Sequence, residues 1–334
     1  MHKFLRKVQR LAKNNPRTIV FPEGTEERIL KATEEVSKKK IANLVLVGPE
    51  KTIKENAKNL KLKIKWDNIQ IHDPEKSPLT KKYAEIFYEL RKHKNISKDD
   101  ALKAMKDMNY FGTMMVYNDD ADGLVTGTTY STAESIRPAL QIIKTKEKFH
   151  KVSGIFFMAL EKKLLLFADT AITIDPNSHD LVDIAIDTAE TAKAFGIEPK
   201  IAMLSFSTKG SARHPAVDKV QEAVAMIKSK RPELMVDGEM QVDAALVPKV
   251  AAKKCPNSPI QGDANILIFP NLESANIAYK LVERLAKAKA VGPVLQGLKK
   301  PVNDLSRGCH YKDIVNITAL TVCECNSENP HNKK

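Results

Sequence analysis

The sequence is poor in cysteine and has no long hydrophobic run. Its 334 residues include four cysteines, at positions 255, 309, 323 and 325, and none forms a CxxC pair. Small secreted domains depend on many cysteines, so this composition excludes that class and predicts reduced thiols. The longest apolar stretches, such as residues 152–160, are too short to span a bilayer, which takes about 20 apolar residues. We therefore expect a soluble cytoplasmic protein without a membrane partner.

The sequence also lacks a set of metal ligands and a secretory signal. Cys323, Cys325 and His331 lie close together, but no second pair of Cys or His residues completes a tetrahedral site, so we predict no metal. Residues 1–15 are basic and amphipathic, without the apolar core and cleavage site of a signal peptide. We interpret them as a surface helix, with organelle targeting as the alternative.

Aromatic residues are scarce, at 6% of the chain, and offer few stacking platforms for nucleic-acid bases. The net charge is nevertheless +13, from 54 Lys and Arg residues against 41 Asp and Glu residues. The basic residues are spread along the chain, and Lys38, Lys39 and Lys40 end a helical pattern where they complement the helix dipole. This distribution favours a basic surface that attracts small anionic substrates over a nucleic-acid groove.

Short apolar runs rich in branched residues alternate with amphipathic helical stretches through most of the chain. This pattern is typical of an α/β protein with mainly parallel sheets. The predicted strands are residues 18–21, 43–47, 114–117, 123–126, 153–160, 200–205 and 265–269. A chain of this length exceeds the size of a single growing core, so we expect two lobes with a boundary near Lys148.

Two helical faces stand out between these strands. One is formed by Ile29, Ala32, Thr33 and Val36, and the other by Val217, Val220, Val224 and Ile227. Both sets recur at the spacing of a helix that packs one stripe on a sheet. Gly196 is expected to end a helix that begins near His179, because glycine is the usual residue just past a helix C-terminus.

Polar loops follow two of the predicted strands. Residues 126–132 read TGTTYST and residues 205–211 read SFSTKGS, each before a helix. Backbone amides and hydroxyls at a helix N-terminus favour an anion such as phosphate, and ligands collect at the carboxyl ends of strands. The candidate binding residues are Thr128, Thr129, Ser131, Ser207, Thr208, Lys209 and Gly210. Neither loop has the spacing of a nucleotide-binding motif, and an ordinary capped turn is the alternative.

A third group of polar residues lies near the C-terminus. Residues 300–308 read KPVNDLSRG, and Asp313 follows six residues after Arg307. The guanidinium fork of Arg307 suits an oxyanion, Gly308 permits a close backbone approach, and the carboxylate of Asp313 is a candidate proton acceptor. A surface turn with a salt bridge is the alternative.

With these residues the chain resembles the phosphate acetyltransferase family, within the broader group of phosphate acetyl- and butyryltransferases. The resemblance extends roughly from Arg17 to Thr321, and its motifs follow the expected order. These motifs are FPEG (21–24), YELRKHK (88–94), ADGLVTG (121–127), RPALQIIKT (137–145), FADTAITIDP (167–176), AMLSFSTKGSA (202–212), VDGEMQVDAA (236–245), ANILIFPNLESANIAYK (264–280) and VGPVLQGLKKPVNDLSRGC (291–309).

The resemblance implies an architecture and a set of substrates. It implies two three-layer α/β lobes with mainly parallel sheets and an interdomain active-site cleft. Domain I is residues 1–147 plus 296–334, and domain II is residues 148–295. The implied substrates are acetyl phosphate and coenzyme A, with no cofactor, and the implied assembly is a homodimer without nucleic acid.

The resemblance also implies roles for individual residues. Ser306 and Arg307 stand in the LSRG motif and Asp313 in the position of the general base, while Arg137 and Arg91 match anion-binding arginines. The implied reaction is direct acetyl transfer in a ternary complex, in which Asp313 activates the thiol and Arg307 with Ser306 stabilises the carbonyl oxygen. The two hydroxyl-rich loops are expected to hold the phosphate. We interpret Cys309 as a packing residue.

Departures from the family pattern bear on specificity more than on reaction class. Lys299 replaces a frequent asparagine, His310 and Tyr311 replace smaller or more acidic residues, and the tail from Glu324 differs. Phosphate butyryltransferase is the nearest alternative, although the LRKHK and SRGC motifs fit the acetyl branch better. A noncatalytic or NAD-binding two-lobed protein is the alternative from another class, against which the missing dinucleotide motif argues.

Overall fold

Two β-sheets with helices packed on them make up the computed structural model, which describes residues 2–146 and 151–328. The residues fall into two units. The first unit contains Lys3–Lys146 and the chain from Leu298 onward, and the second unit contains the intervening residues up to Gly297.

The strands are β1 (Thr18–Phe21), β2 (Asn43–Val47), β3 (Ile69–His72), β4 (Gly123–Thr126), β5 (Ser153–Ala159), β6 (Leu164–Ala168), β7 (Lys200–Leu204), β8 (Met235–Met240), β9 (Ile266–Ile268), β10 (Lys289–Gln296) and β11 (Val302–Asp304). The α-helices are α1 (Lys3–Asn14), α2 (Glu27–Lys39), α3 (Glu50–Asn59), α4 (Leu79–Arg91), α5 (Lys98–Met105), α6 (Met108–Tyr117), α7 (Thr132–Ile142), α8 (Ser178–Ala194), α9 (Pro215–Lys230), α10 (Val242–Leu246), α11 (Pro248–Lys254), α12 (Leu272–Leu285) and α13 (Tyr311–Glu328).

The sheet of the first unit is parallel throughout, in the order β11-β4-β1-β2-β3. Successive side chains of a strand point to opposite faces, and both faces of β1 are covered. Val20 lies against Gly112 of α6, whereas Ile19 lies on the other face, near Thr321 of α13. Helices therefore cover both sides of a sheet whose strands are buried, as all-parallel sheets require.

The sheet of the second unit is mixed, in the order β10-β5-β6-β9-β7-β8. β10, β5 and β6 pair antiparallel, and the remaining pairs are parallel. Neighbouring aromatic residues of β5 pack on opposite faces. The ring of Phe156 stacks on Tyr279 of α12 at a centroid distance of 4.3 Å, and Phe157 meets Phe195 at the end of α8 at 5.2 Å. This unit is also a three-layer sandwich, so the predicted α/β class is confirmed.

Most of the predicted strands are confirmed within about two residues, but one is wrong. Residues 114–117 belong to α6, which begins where the Asp107 carboxylate accepts the N–H groups of Asn109 and Tyr110 at 2.9 and 3.0 Å. This helix is buried on nearly all sides, so its short apolar run has no helical periodicity and resembles a strand. The prediction also missed β3, β6, β8, β10 and β11.

The predicted helical faces are confirmed by burial. Ile29, Ala32, Thr33 and Val36 are all 0% exposed, and the valine and isoleucine stripe of α9 is buried as well. Gly196 follows α8 with φ of 68°, and its N–H donates to the carbonyl of Lys193 at 2.8 Å. Within residues 2–146 and 151–328, no helix has both the length and the apolar character needed to cross a membrane.

Substitution of Gly112 in α6 tests how closely this helix packs on the sheet of the first unit. A methyl group at this position would meet the side chains of Val20, Leu124 and Pro22 at 3.0, 3.1 and 3.2 Å. Gly→Ala normally stabilises a helix interior by about 1 kcal/mol, but crowding a buried contact costs about 1–3 kcal/mol. We therefore expect Gly112→Ala to lower the free energy of unfolding by about 1 kcal/mol in urea denaturation. An increase in stability would show that the interface relaxes freely.

Candidate active site

A buried carboxylate organises the loop after β4. Glu23, in the FPEG motif that follows β1, is 3% exposed. Its carboxylate accepts the backbone N–H groups of Gly127, Thr128 and Thr129 at 2.9, 3.1 and 2.5 Å, and the hydroxyl of Thr129 at 2.6 Å. These amides were predicted to bind phosphate. In the structure these three amides donate to a carboxylate of the protein itself.

Arg28 joins this loop to the turn that carries the LSRG motif. Its guanidinium group donates to the carbonyl of Thr128 at 2.8 Å and to the carbonyls of Arg307 and Cys309 at 2.7 and 3.2 Å. The Glu26 carboxylate accepts the Nε–H of Arg28 at 2.6 Å. The side chain of Arg28 therefore fixes two loops with respect to each other and leaves the guanidinium group of Arg307 uncommitted.

Gly127 makes the close approach of these segments possible. It has φ of +100°, a conformation that residues with a side chain rarely adopt. A Cβ atom there would lie 2.1 Å from Oδ1 of Asp304 and 2.7 Å from the amide nitrogen of Leu305. The loop after β4 and the end of β11 thus touch directly only because position 127 has no side chain.

The remaining predicted catalytic residues lie at the start of α13. Ser306 is exposed, and its hydroxyl accepts the N–H of Gly308 at 3.3 Å. The Asp313 carboxylate accepts the N–H of His310 at 2.9 Å through Oδ2, as a residue in the first turn of a helix does when it caps the helix. Within the described residues no donor contacts Oδ1 of Asp313, so this oxygen stays available to accept a proton.

The guanidinium groups of the arginines predicted to bind anions or the oxyanion are unpaired. Within the described part of the chain, those of Arg91, Arg137 and Arg307 form no hydrogen bond or ion pair. Burial raises the pKa of Tyr110, and the charges of Arg137 and Arg91 both act to lower it. The pKa of Glu134 is lowered, first by the Ser131 hydroxyl and then by the charges of Arg137 and Arg307. Arg137 thus shares Tyr110 as a neighbour with Arg91, and Glu134 as a neighbour with Arg307.

Cys309 is a neutral thiol at this site. Burial raises its pKa to about 11, and the charge of Asp313 raises it further, while Arg28 opposes the change. A thiol with this pKa carries almost no thiolate near neutrality and is a poor nucleophile. All four cysteines are free thiols. The interpretation of Cys309 as a packing residue agrees with this environment.

The polar loop of the second unit is also closed by carboxylates. Glu239 accepts the N–H of Gly210 at 2.7 Å and the hydroxyl of Ser207 at 2.8 Å. The ammonium group of Lys209 contacts Asp237 at 2.6 Å, and the Thr208 hydroxyl accepts the N–H of Gln241 at 3.0 Å. Each predicted binding residue of this loop therefore already has an internal partner.

Sequence reasoning placed Ser131 among the anion ligands, but it caps α7. Its hydroxyl accepts the N–H of Glu134 at 3.4 Å, and the Glu134 side chain accepts the Ser131 N–H at 2.8 Å. Thr128 is 1% exposed, and its hydroxyl forms no hydrogen bond with a described residue. The hydroxyls of Thr129 and Ser131 are thus bonded within the protein, whereas that of Thr128 is not.

The same reasoning missed Glu23, Arg28 and Asp304. The position of Glu23 held a usable signal, because an acidic residue directly after a buried parallel strand lies at the ligand-binding edge of the sheet. Arg28 gave no such signal, since its partners are nearly 100 and 280 residues away. Among the described residues no group of His, Cys, Asp and Glu side chains has the geometry of a metal site. His331, considered with Cys323 and Cys325, lies outside the described residues.

Comparison with known proteins assigns the chain to a family. The model of the phosphate acetyl/butaryl transferase family matches residues 3–322. A phosphate acetyltransferase of Bacillus subtilis is 51% identical over 306 residues, covering 92% of this chain and 94% of the relative, and one of Clostridium acetobutylicum is 50% identical over 320 residues, covering 94% and 96%. The crystal structure of a phosphotransacetylase from Streptococcus pyogenes is 43% identical, with a TM-score of 0.91 and coverage of 97% and 98%. The resemblance carried by the motifs is thereby confirmed, and the chain belongs to the phosphate acetyl/butaryl transferase family.

Proposed function

We propose that the protein is a phosphate acetyltransferase that moves an acetyl group reversibly between acetyl phosphate and the thiol of coenzyme A. The observation that carries this proposal is the group of unpaired guanidinium groups of Arg91, Arg137 and Arg307 beside the LSRG turn. Both substrates are anions that carry phosphate, and arginine binds such groups through two parallel hydrogen bonds. The identity to phosphate acetyltransferases over nearly the whole chain supports the same reaction.

Transfer is direct, without a covalent acyl-enzyme and without a cofactor. A free thiol has a pKa of about 8.5, so a nearby base raises the reactive fraction during attack. This role of Asp313 is supported by its Oδ1, to which no described residue donates, while its Oδ2 accepts the N–H of His310. Arg307 and Ser306, both exposed, stabilise the charge that develops on the acetyl oxygen. The neutral thiol of Cys309 takes no part in the bond changes.

The phosphate is held by side chains rather than by the loop amides. Because Glu23 and Glu239 occupy the amides that the sequence assigned to phosphate, the ligands of the phosphoryl oxygens are Arg137 and Arg91. A carboxylate inside each loop also repels an anion from those amides. Thr128 and Thr129 then belong to the loop that Glu23 fixes in the first unit, and Ser207, Thr208, Lys209 and Gly210 to the loop that Glu239 fixes in the second unit.

The setting is the cytoplasm, and the partners are small molecules. Four free thiols support a reducing compartment. The charges of Arg91, Arg137 and Arg307 act on Tyr110 or on the Glu134 carboxylate. Aromatic residues make up only 6% of the chain, which favours small anions over nucleic acid as partners.

A second copy of the chain is the protein partner. Helix α12 exposes Ile277, Leu281 and Leu285 at 58%, 52% and 79%, one turn apart along one face. Within the described residues, α8 and α9 on the opposite face of the same sheet expose no large hydrophobic side chain. Glu273 lies in the first turn of α12 and Arg284 in the last, so two copies packed antiparallel bring unlike charges together. The dimer therefore forms through α12.

The acyl donor distinguishes the proposed reaction from its alternatives. Purified protein is mixed with coenzyme A and either acetyl phosphate or butyryl phosphate, and thioester absorbance is followed. We expect rapid formation of acetyl-CoA that phosphate reverses, and slower butyryl transfer. A preference for butyryl phosphate would make the protein a phosphate butyryltransferase. No thioester from either donor, together with binding of NAD(H), would overturn the assignment.

Two substitutions separate the roles of Arg307 and Asp313. Arg307→Ala removes a donor to the developing oxyanion and is expected to lower kcat by about 100- to 1000-fold in a protein that stays folded. Asp313→Asn keeps an acceptor for the N–H of His310 and is expected to lower kcat more than it raises KM for coenzyme A. Lys81→Ala, on an exposed position of α4, is the charge control and should change kcat less than twofold. Full activity of Asp313→Asn across the pH range would exclude it as the base.

Leu281→Asp tests the dimer surface. A charge at the centre of the apolar face of α12 must be desolvated in the interface, so we expect this variant to be monomeric in sedimentation-velocity runs in which the parent protein is a dimer. Leu11→Asp, at a 41% exposed leucine of α1, should leave the dimer intact. A dimeric Leu281→Asp variant would show that another surface pairs, and a monomeric parent protein would refute the dimer itself.

A further inference from the structure

A buried carboxylate that the proposed chemistry does not use lies beneath the LSRG turn. Asp304 ends β11, two residues before Ser306, and is 1% exposed. It stands opposite Thr126 of β4 in the sheet register, and its Oδ1 is the atom that a side chain at Gly127 would strike. Within the described residues Oδ1 has no hydrogen bond of ordinary geometry.

The surroundings of Asp304 come from each of the segments that form the site. Helix α7 packs against β11, and the hydroxyls of Thr132 and Ser135, in the first turns of α7, lower the pKa of Asp304 together with the N–H of Leu305. Among the described residues the Ser135 hydroxyl forms no hydrogen bond of ordinary geometry, so it acts on the carboxylate as a nearby dipole. Glu23 is the titratable neighbour that acts on it, and its negative charge opposes ionisation. The carboxylate therefore connects the start of the helix that carries Arg137 with the residue that precedes Ser306 and Arg307.

Keeping a carboxylate at this position is unfavourable for folding. Burial raises the pKa of Asp304 to about 6, above the value of an exposed aspartate. A group whose pKa rises on folding contributes stability while it is protonated, and this contribution is lost as the pH rises through about 6. Near neutrality the folded protein thus holds a destabilising charge that an amide of the same shape would avoid.

We propose that Asp304 is a positioning residue, whose negative charge draws the first turns of α7 and the Leu305–Arg307 segment together so that Arg137 and Arg307 meet the same phosphorylated substrate. The inference rests on the proposed function, because it concerns the geometry of that site. Asp304 does not touch the substrate: it is covered by Gly127 and by the turn itself. Misplacing a substrate-binding group by even a small distance lowers the rate strongly, so a charge that holds the two arginines in position increases the rate.

Asp304→Asn tests the role of the charge, since the amide keeps the shape and an acceptor oxygen. We expect kcat/KM for acetyl phosphate to fall about tenfold at pH 8, through an increase in KM as well as a decrease in kcat. At pH 5 only about a tenth of the Asp304 side chains are ionised, so the ratio of parent to variant should shrink to about twofold. Taking the ratio cancels every other effect of pH that both proteins share.

Asn303→Ala is the matched control. Asn303 precedes Asp304 on β11 but points to the other side, where its amide donates to Thr321 and Glu324 of α13 at 2.8 and 2.6 Å. This variant loses buried hydrogen bonds, so it should be less stable, with an activity ratio that does not change with pH. A ratio for Asp304→Asn that is equally flat, or a variant as active as the parent at pH 8, would overturn the proposal.

Ser135→Ala gives an independent readout that does not require Asp304→Asn to fold. Loss of the hydroxyl removes a group that stabilises the ionised carboxylate, so the acidic limb of the activity profile should move to higher pH. An unshifted limb would contradict the proposal. A parent protein that is inactive with acetyl phosphate at pH 8 would refute the proposed function instead, so the two failures are distinguishable.

Discussion

The hydrogen bonds between the Glu23 carboxylate and the amides of Gly127, Thr128 and Thr129 are the contact on which the candidate site depends. They join the carboxyl ends of β1 and β4, which neighbour each other in the parallel sheet. A charged acceptor forms stronger hydrogen bonds than a neutral one, and here it is buried and fully engaged by N–H and O–H donors. With the loop fixed, its carbonyl at Thr128 becomes a stable partner for Arg28, which in turn holds the LSRG turn.

The same arrangement occurs independently in each unit. Glu239 in the second unit takes the amide of Gly210 and the hydroxyl of Ser207, as Glu23 takes the amides and the hydroxyl of its own loop. Backbone amides at the carboxyl edge of a parallel sheet attract negative charge, and both loops meet that need with an internal carboxylate. The carboxylates and the arginines therefore have different roles. The carboxylates stabilise the backbone of the loops, and the unpaired arginines stay available for ligands.

This division explains the electrostatics of the first unit. Carboxylates with structural roles are buried or cap a helix. The guanidinium groups of Arg91, Arg137 and Arg307, by contrast, remain unpaired among the described residues. Unpaired cations in one region repel each other, which is unfavourable for the free protein and favourable when an anion binds. Asp304 fits the same pattern, since a buried charge that opposes folding adjoins the segments that carry two of these arginines. These charged groups thus lower the stability of the free protein and favour the binding of an anionic ligand.

The sequence alone determined the α/β class, the positions of β1, β2 and β4, the buried faces of α2 and α9, and the family, because each of these is encoded by neighbours along the chain. Periodicity and continuous motifs are local properties, so they survive without knowledge of the fold. Tertiary structure decided the rest. Residues 114–117 were predicted as a strand because burial of α6 on nearly all sides hides the helical period. The loop amides donate to Glu23 and Glu239 because folding brings each of these residues to the loop of its own unit. Which polar group satisfies which partner is a property of packing, and local sequence does not contain it.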